Sequence, residues 1–285
     1  MKFVEWATPV VFCVNVYLLF EIVKYGEDVH KNDSKSGYWG EKTANTNWCE
    51  PDYIVTPYIA EFWNTLSSFF VVIDGLYGIY YHCSWAETRY GVAWLLFLVV
   101  GLGSVMFHAT LQRGWQLMDE LPMVWANSVF IYVVHFIERK DDTRRERLFG
   151  MVFVAAYAAV STVLIILYDT EDQVVFLVAY GSGVMWLMYS SIVLRKKYKT
   201  DQGVNVDLGL WGVFIYLFGF MVWLTDRRYC SIVQSWQMHS VWHFCAGLGT
   251  YIATLFWLQV RELYKGEHKL IFEKSLRFTR VAKAV

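Results

Sequence analysis

Charge is scarce in this chain: Asp, Glu, Lys and Arg make up 18% of its 285 residues, where an ordinary globular domain carries about 25%. Neither sign prevails, since 25 Lys and Arg face 26 Asp and Glu. A nucleic-acid binder built on a basic face is therefore excluded, and so is an acidic disordered chain. With only 4 prolines, a low-complexity linker is excluded as well. What fills the space is apolar. Hydrophobic residues reach 56% and aromatics 19%, including 14 Trp, 19 Tyr and 20 Phe. That excess is too large for one water-coated core, and it places the chain in a bilayer.

A stretch of about 20 apolar residues is long enough to cross a hydrocarbon layer roughly 30 Å thick. Seven such stretches stand out, at about 58–81, 90–111, 117–137, 147–168, 173–194, 206–225 and 238–258. They read as helices because a backbone in lipid must satisfy its own hydrogen bonds. Runs such as WLLFLVV (94–100) do not alternate as the strands of a membrane barrel do. The expected fold is an all-α membrane protein, a seven-transmembrane helix bundle with an additional weak N-terminal apolar helix. That weak stretch, about 4–23, is interrupted by Glu5, Pro9, Asn15 and Glu21. It reads as an anchor, an extra helix or a signal peptide, with the anchor favoured because no A-x-A-like cleavage site follows. The organisation expected is an N-terminal extension over 1–36, a catalytic bundle over 37–258 and a basic tail over 259–285.

Lys and Arg accumulate in cytoplasmic loops. The segments 82–89, 138–147, 195–205 and 259–285 hold 17 of them, and 112–116, 169–172 and 226–237 hold 3. The tail is thus expected in the cytoplasm and residues 25–57 on the lumenal side. Cys49 and Cys230 then share an oxidising space, where a disulfide and two free thiols are both open; Cys13, Cys83 and Cys245 fall in or beside membrane segments. Asn32-Asp33-Ser34 forms a glycosylation sequon on the same side.

Ionisable groups within membrane helices are costly and mark function by default. Here they gather at one depth. The second stretch ends GLGSVMFHATL (101–111), with Ser104 and His108 one turn apart, and the third opens QLMDELPM (116–123), with Asp119. The seventh begins QMHSVWHF (237–244), placing His239 and His243 at i, i+4 on one face. Three neutral imidazoles with an open fourth position suit catalytic zinc, although a lone HxxxH is weak. Asp119 would serve as general base or simply as an acid favoured by a helix N-terminus. Ser104 would stabilise an oxyanion or be a small packing residue after Gly101 and Gly103. His30, His82, His135 and His268 read as structural or solvated. Asp74 has no assigned role, and Asp226 either supports a ligating histidine or marks the water interface. A second polar cluster, NWCEPDYIVTPYIAEFWNT (47–65), offers oxygen ligands suited to calcium, or is an ordinary acidic loop.

These residues carry a family resemblance. GYWGEKTANTNWCE (37–50), YIAEFWNT (58–65), GSVMFH (103–108), LMDELPM (117–123) and HSVWHFCAGLGTY (239–251) resemble the alkaline ceramidases. These are seven-helix membrane amidases of the wider superfamily that includes the adiponectin and progestin receptors. The resemblance spans about 37–255 and implies zinc at His108, His239 and His243 with Ser104 and Asp119 as catalytic residues. It implies calcium at Asn47, Trp48, Glu50, Asp52 and Glu61, although the family usually has Asp where Asn47 stands and often Asn where Asp52 stands. It also implies pairing of Cys49 with Cys230, ceramide as the lipid substrate in the bilayer, and residence in the endoplasmic reticulum or Golgi. The competing class is a lipid receptor or lipid-binding protein that keeps the zinc site without turnover. A transporter would show inverted repeats or broken helices, and neither is present in the sequence.

Overall fold

The computed structural model describes residues 36–139, 143–170 and 172–266, and the main chain of 268–273 and 277–282. The weak stretch 4–23, Cys13 and the sequon at Asn32 lie outside the described residues. Seven long helices follow in order: α1 Phe62–His82, α2 Thr88–Thr110, α3 Arg113–His135, α4 Arg144–Tyr168, α5 Val174–Lys197, α6 Val206–Arg228 and α7 Met238–Lys265. One helical turn at Cys230–Val233 and a 3₁₀ turn at Gln234–Trp236 join α6 to α7. A hairpin of β1 His268–Glu273 and β2 Arg277–Ala282 closes the chain, paired antiparallel from His268 opposite Ala282 to Glu273 opposite Arg277. Among the described residues, six helices, α2 to α7, are long and apolar enough to cross a membrane. In α1 the buried residues of the first two turns are Asn64, Thr65, Ser67 and Ser68, and this polar stripe dilutes its apolar character.

Helix ends depart from the sequence expectation where the backbone has other partners. The α1 helix begins at Phe62 rather than near 58 because Ala60 and Glu61 donate their N–H groups to the carbonyls of Ala109 (3.0 Å) and His108 (2.9 Å). Those carbonyls end α2 and lack helical partners of their own. The α7 helix continues past 258 to Lys265, where Gly266 at φ 73° supplies the left-handed stop. Between α2 and α3 only two residues intervene, and Leu111 takes φ 49° to make the turn.

Helices α1, α2, α3, α5, α6 and α7 pack as a ring in that order, and α4 lies outside against α3 and α5. Accordingly α4 buries only Ser161 and Ile165 and presents exposed Phe149, Phe153 and Leu167, the surface expected against lipid. Within the ring, polar residues point inward: His108, Gln116, Glu120 and Ser68 are all at most 2% exposed. The segment 36–61 lies over the end of the bundle where α2 finishes. A disulfide between Cys49 and Cys230 (Cα–Cα 5.3 Å) fastens it to the α6–α7 connection. Cys83 and Cys245 are free thiols. At the opposite end Arg261 of α7 pairs with Glu87 (2.9 Å) and donates to the carbonyls of Phe136, Ile137 and Arg139. It thereby caps α3 and joins it to the start of α2. Burial alone would raise the Glu87 carboxyl, but Arg89, Arg261 and Lys265 hold it below its ordinary value.

Close approach of α2 to α3 depends on two residues. Pro122 lies inside α3 and cannot donate to the carbonyl of Met118 four residues earlier. A Cβ at Gly103 would stand 2.0 Å from that carbonyl oxygen, so only glycine lets the two backbones meet there. This contact sets Ser104 beside Asp119. Gly103→Ala is expected to cost about 1–3 kcal/mol as an overpacked helix contact, read as a fall in Tm in detergent. Gly114→Ala, where an added Cβ meets nothing within 4 Å, should leave Tm unchanged.

Candidate active site

His108 stands in the last turn of α2, and His239 and His243 in the first two turns of α7. The turn geometry at both helix ends brings the three rings together, with centroids 5.2, 4.9 and 4.6 Å apart. One ring nitrogen from each lies within 4.8 Å of the others, a set that could hold a metal ion. All three are buried, at 0%, 3% and 6% exposure. Their orientation is fixed from behind. The Nδ1 of His108 meets Oε2 of Glu61, and the Nδ1 of His243 meets the Ser67 hydroxyl at 2.8 Å. The indole of Trp48 stacks on His239 at 3.8 Å. The Nε2 of His108 is buried without a hydrogen-bond partner among the described residues. With Nδ1 held by the carboxylate, that nitrogen is left with its lone pair facing inward, as a metal ligand requires. Three neutral nitrogens and a carboxylate behind one of them fit a divalent transition metal.

Ser104 and Asp119 sit beside this group. Ser68 donates to the Ser104 oxygen at 3.1 Å, and Ser104 hydrogen-bonds the Asp119 carboxyl. Asp226, 2% exposed, accepts from the main-chain N–H groups of Cys49 (3.3 Å) and His239 (3.2 Å). It therefore ties the segment 36–61 to the start of α7. Asp74 lies far along α1, with its Oδ2 against Gly247 of α7. His82 packs at the other end of the bundle among the rings of Trp85, Trp94 and Tyr251.

The second polar cluster folds over the first turn of α1. Glu50 accepts from the N–H groups of Trp63 (2.8 Å) and Asn64 (2.9 Å), two of the unpaired donors of a helix N-terminus. Burial pushes the Glu50 carboxyl up to about 7 against the pull of those donors, and Glu61 adds to the rise. Asn47 donates to both oxygens of Asp52, while its Oδ1 accepts from the Trp48 N–H at 3.1 Å. Glu61 belongs to both clusters, because its Oε1 accepts from the Trp48 N–H at 2.9 Å. Among the described residues, the grouping of three ligand side chains at metal-binding distance is that of the histidines; the acidic residues form no such group.

A cavity of about 400 Å³ opens beside Ser104, Asp119, His239 and His243 and runs down the ring between apolar walls to Phe130, Ser191 and Trp257. Fourteen residues of α7 separate His243 from Trp257, roughly 21 Å of helix. Sequence reasoning passed over Asn64, Ser67 and Ser68, which orient the histidines, and Glu120 with its amide partners Gln116 and Gln173. The first three form an i, i+3, i+4 polar stripe within an apolar helix, a signal visible in the sequence. Gln173 lies two helices away from Glu120 and carries no such signal.

The family model described as Ceramidase matches residues 40–282. The chain is 32% identical over 244 residues to alkaline ceramidase 3 of Mus musculus, covering 81% of this chain and 88% of that protein. It is 29% identical over 252 residues to alkaline ceramidase YPC1 of Saccharomyces cerevisiae, covering 78% of each. With an alkaline ceramidase of Arabidopsis thaliana it shares 27% identity over 247 residues, covering 82% of this chain and 90% of that one. The chain belongs to the alkaline ceramidase family and is a hydrolase of the ceramidase class.

Proposed function

We propose that this protein hydrolyses the amide of ceramide to a sphingoid base and a fatty acid, using zinc held by His108, His239 and His243. The observation that carries this reading is the grouping of three imidazoles, two of which, His239 and His243, line the cavity together with Asp119 and Ser104. Zinc there would supply Lewis acidity to the amide carbonyl and to water. Asp119 takes a proton from the attacking water as oxygen joins the carbonyl carbon, and returns it to the nitrogen as the C–N bond breaks. Ser104 turns its proton from Asp119 to the carbonyl oxygen as negative charge develops there. Glu61 and Ser67 keep His108 and His243 in one tautomer and one orientation. The long apolar cavity accepts a lipid chain and excludes water from the reacting centre, which strengthens each of these interactions.

Calcium in the cluster of Asn47, Trp48, Glu50, Asp52 and Glu61 would meet oxygen donors alone, which suits a hard cation. Glu61 would then link it to His108, so that calcium steadies the position of a zinc ligand. In the membrane, α1 serves as a seventh crossing beside the six more apolar helices. The end carrying the histidines faces the lumen of the endoplasmic reticulum or Golgi, and the basic tail faces the cytoplasm.

Asp119→Ala and His239→Ala should each lower fatty-acid release from labelled ceramide by about 100-fold or more, in purified protein whose Tm shows it to be folded. Retained turnover in either would overturn the mechanism. Zinc should copurify with the protein, and His108→Ala should remove it, read by mass spectrometry of the metal. Calcium should stimulate hydrolysis by the natural sequence, and Asp52→Ala should abolish that stimulation; an unchanged calcium response would remove the cluster from consideration as its site.

A further inference from the structure

Glu120 follows Asp119 in α3, but one step along a helix turns a side chain by about 100°. The two carboxyls therefore meet different parts of the cavity wall, which both of them line. Glu120 is 2% exposed. Its Oε1 accepts from Nε2 of Gln116 at 2.7 Å and from Nε2 of Gln173. Both amides are themselves held, since Oε1 of Gln116 accepts from the Asn45 N–H (2.8 Å) and Oε1 of Gln173 accepts from Arg227 (3.0 Å). Gln173 moreover sits at φ 52°, a left-handed conformation that a non-glycine residue rarely adopts. This arrangement pins one oxygen of the carboxyl and leaves the other, Oε2, buried with no donor among the described residues.

Trp48 presents the opposite deficiency. Its ring lines the same cavity and stacks on His239, and its Nε1 is buried without an acceptor. An orphaned acceptor and an orphaned donor in a shared wall are expensive to leave unmet. A hydroxyl answers both, because its oxygen accepts and its proton donates. A hydrocarbon chain answers neither.

We propose that Glu120 Oε2 and Trp48 Nε1 form a subsite that recognises an alcohol group flanking the scissile amide, so that plain fatty amides are rejected. The inference rests on the ceramide-hydrolase reading and deepens it. In ceramide the carbon bearing the amide nitrogen lies between a primary and a secondary alcohol carbon. Either hydroxyl is close enough to the amide to reach the wall while the carbonyl lies at the histidines. Gln116 and Gln173 act as positioning residues that keep Oε2 turned toward the cavity. In Glu120→Gln the amide oxygen still accepts from Gln116 and Gln173, but an NH₂ group replaces the acceptor and the substrate hydroxyl proton has no partner.

The test uses purified full-length protein with ceramide, its 1-deoxy analogue and its 3-deoxy analogue, all with one acyl chain. Removing the recognised hydroxyl should lower kcat/KM of the natural sequence by about tenfold or more, the loss for a site built to pair that group. E120Q should lower kcat/KM for ceramide by a similar factor and leave the analogue lacking that hydroxyl within about twofold. The analogue that E120Q leaves unaffected identifies the primary or secondary alcohol. Equal losses on ceramide and both analogues would make Glu120 a structural residue and overturn the subsite, as would unchanged turnover of all three. If E120Q does not fold, the natural sequence still decides: a loss of about tenfold or more on one deoxy analogue supports the subsite, and equal kcat/KM on ceramide and both analogues overturns it. Failure of the natural sequence to hydrolyse ceramide would overturn the functional reading itself, whereas hydrolysis without this selectivity would overturn only the subsite.

Discussion

The Glu61 carboxyl is wholly buried where three parts of the chain meet, and it is satisfied from all of them. One oxygen holds the Nδ1 of His108 on α2 and accepts from Asn64 on α1, while the other accepts from the Trp48 N–H of the overlying segment. The main chain reinforces this, because the Glu61 N–H donates to the His108 carbonyl. A missing donor to a buried carboxylate is costly, so each part is held to its place by the needs of the others. Asp226 repeats the device on the α6 side by binding the N–H groups of Cys49 and His239. Between them, these two carboxylates register the segment 36–61 against both helix ends that carry the histidines.

That registration needs a scaffold which cannot slide. Lipid offers little hydrophobic drive for one helix to pack on another, so close backbone contact and inward hydrogen bonds take its place. Gly101 lets α2 lie against the main chain of α1 at Val72, and Gly103 lets it lie against α3 at Met118. Gly212 and Gly249 do the same between α6 and α7, against Ala253 and Tyr216. The ring therefore closes tightly at its wall, and beside its packed apolar core it leaves an open volume inside, lined largely by apolar surfaces. Helix α4 takes no part in lining that cavity and faces lipid instead.

A low-dielectric chamber with polar groups at one end concentrates electrostatic effects where they act. The same surroundings penalise every unmatched polar atom, which is why the histidines, Ser104 and Glu120 carry supporting partners on neighbouring helices. Orphaned atoms that remain include Nε2 of His108 in the histidine group and Oε2 of Glu120, a residue that lines the cavity.

The helices were legible in the sequence because each records its own environment locally: twenty apolar residues in a row specify a crossing wherever they are placed. The shared depth of His108, Asp119, His239 and His243 was legible for the same reason, since helix direction and length fix depth. The N-terminus of α1 was misread by four residues because its start is set by the end of α2, and the extension of α7 because its apolar run ends at 258 while the helix continues through Gln259, Arg261 and Glu262 to Lys265. What the tertiary structure alone decided is lateral: which helices adjoin, that α4 stands outside the ring, and that the open alternatives at Cys49 and Cys230 close as a disulfide. It also decided that Glu120 meets Gln173 and that Glu61 serves two polar clusters at once. Periodicity states how far along a helix a residue lies and which face it occupies. It carries no information about the neighbour on that face, because the contact is made by residues distant in sequence and chosen by packing.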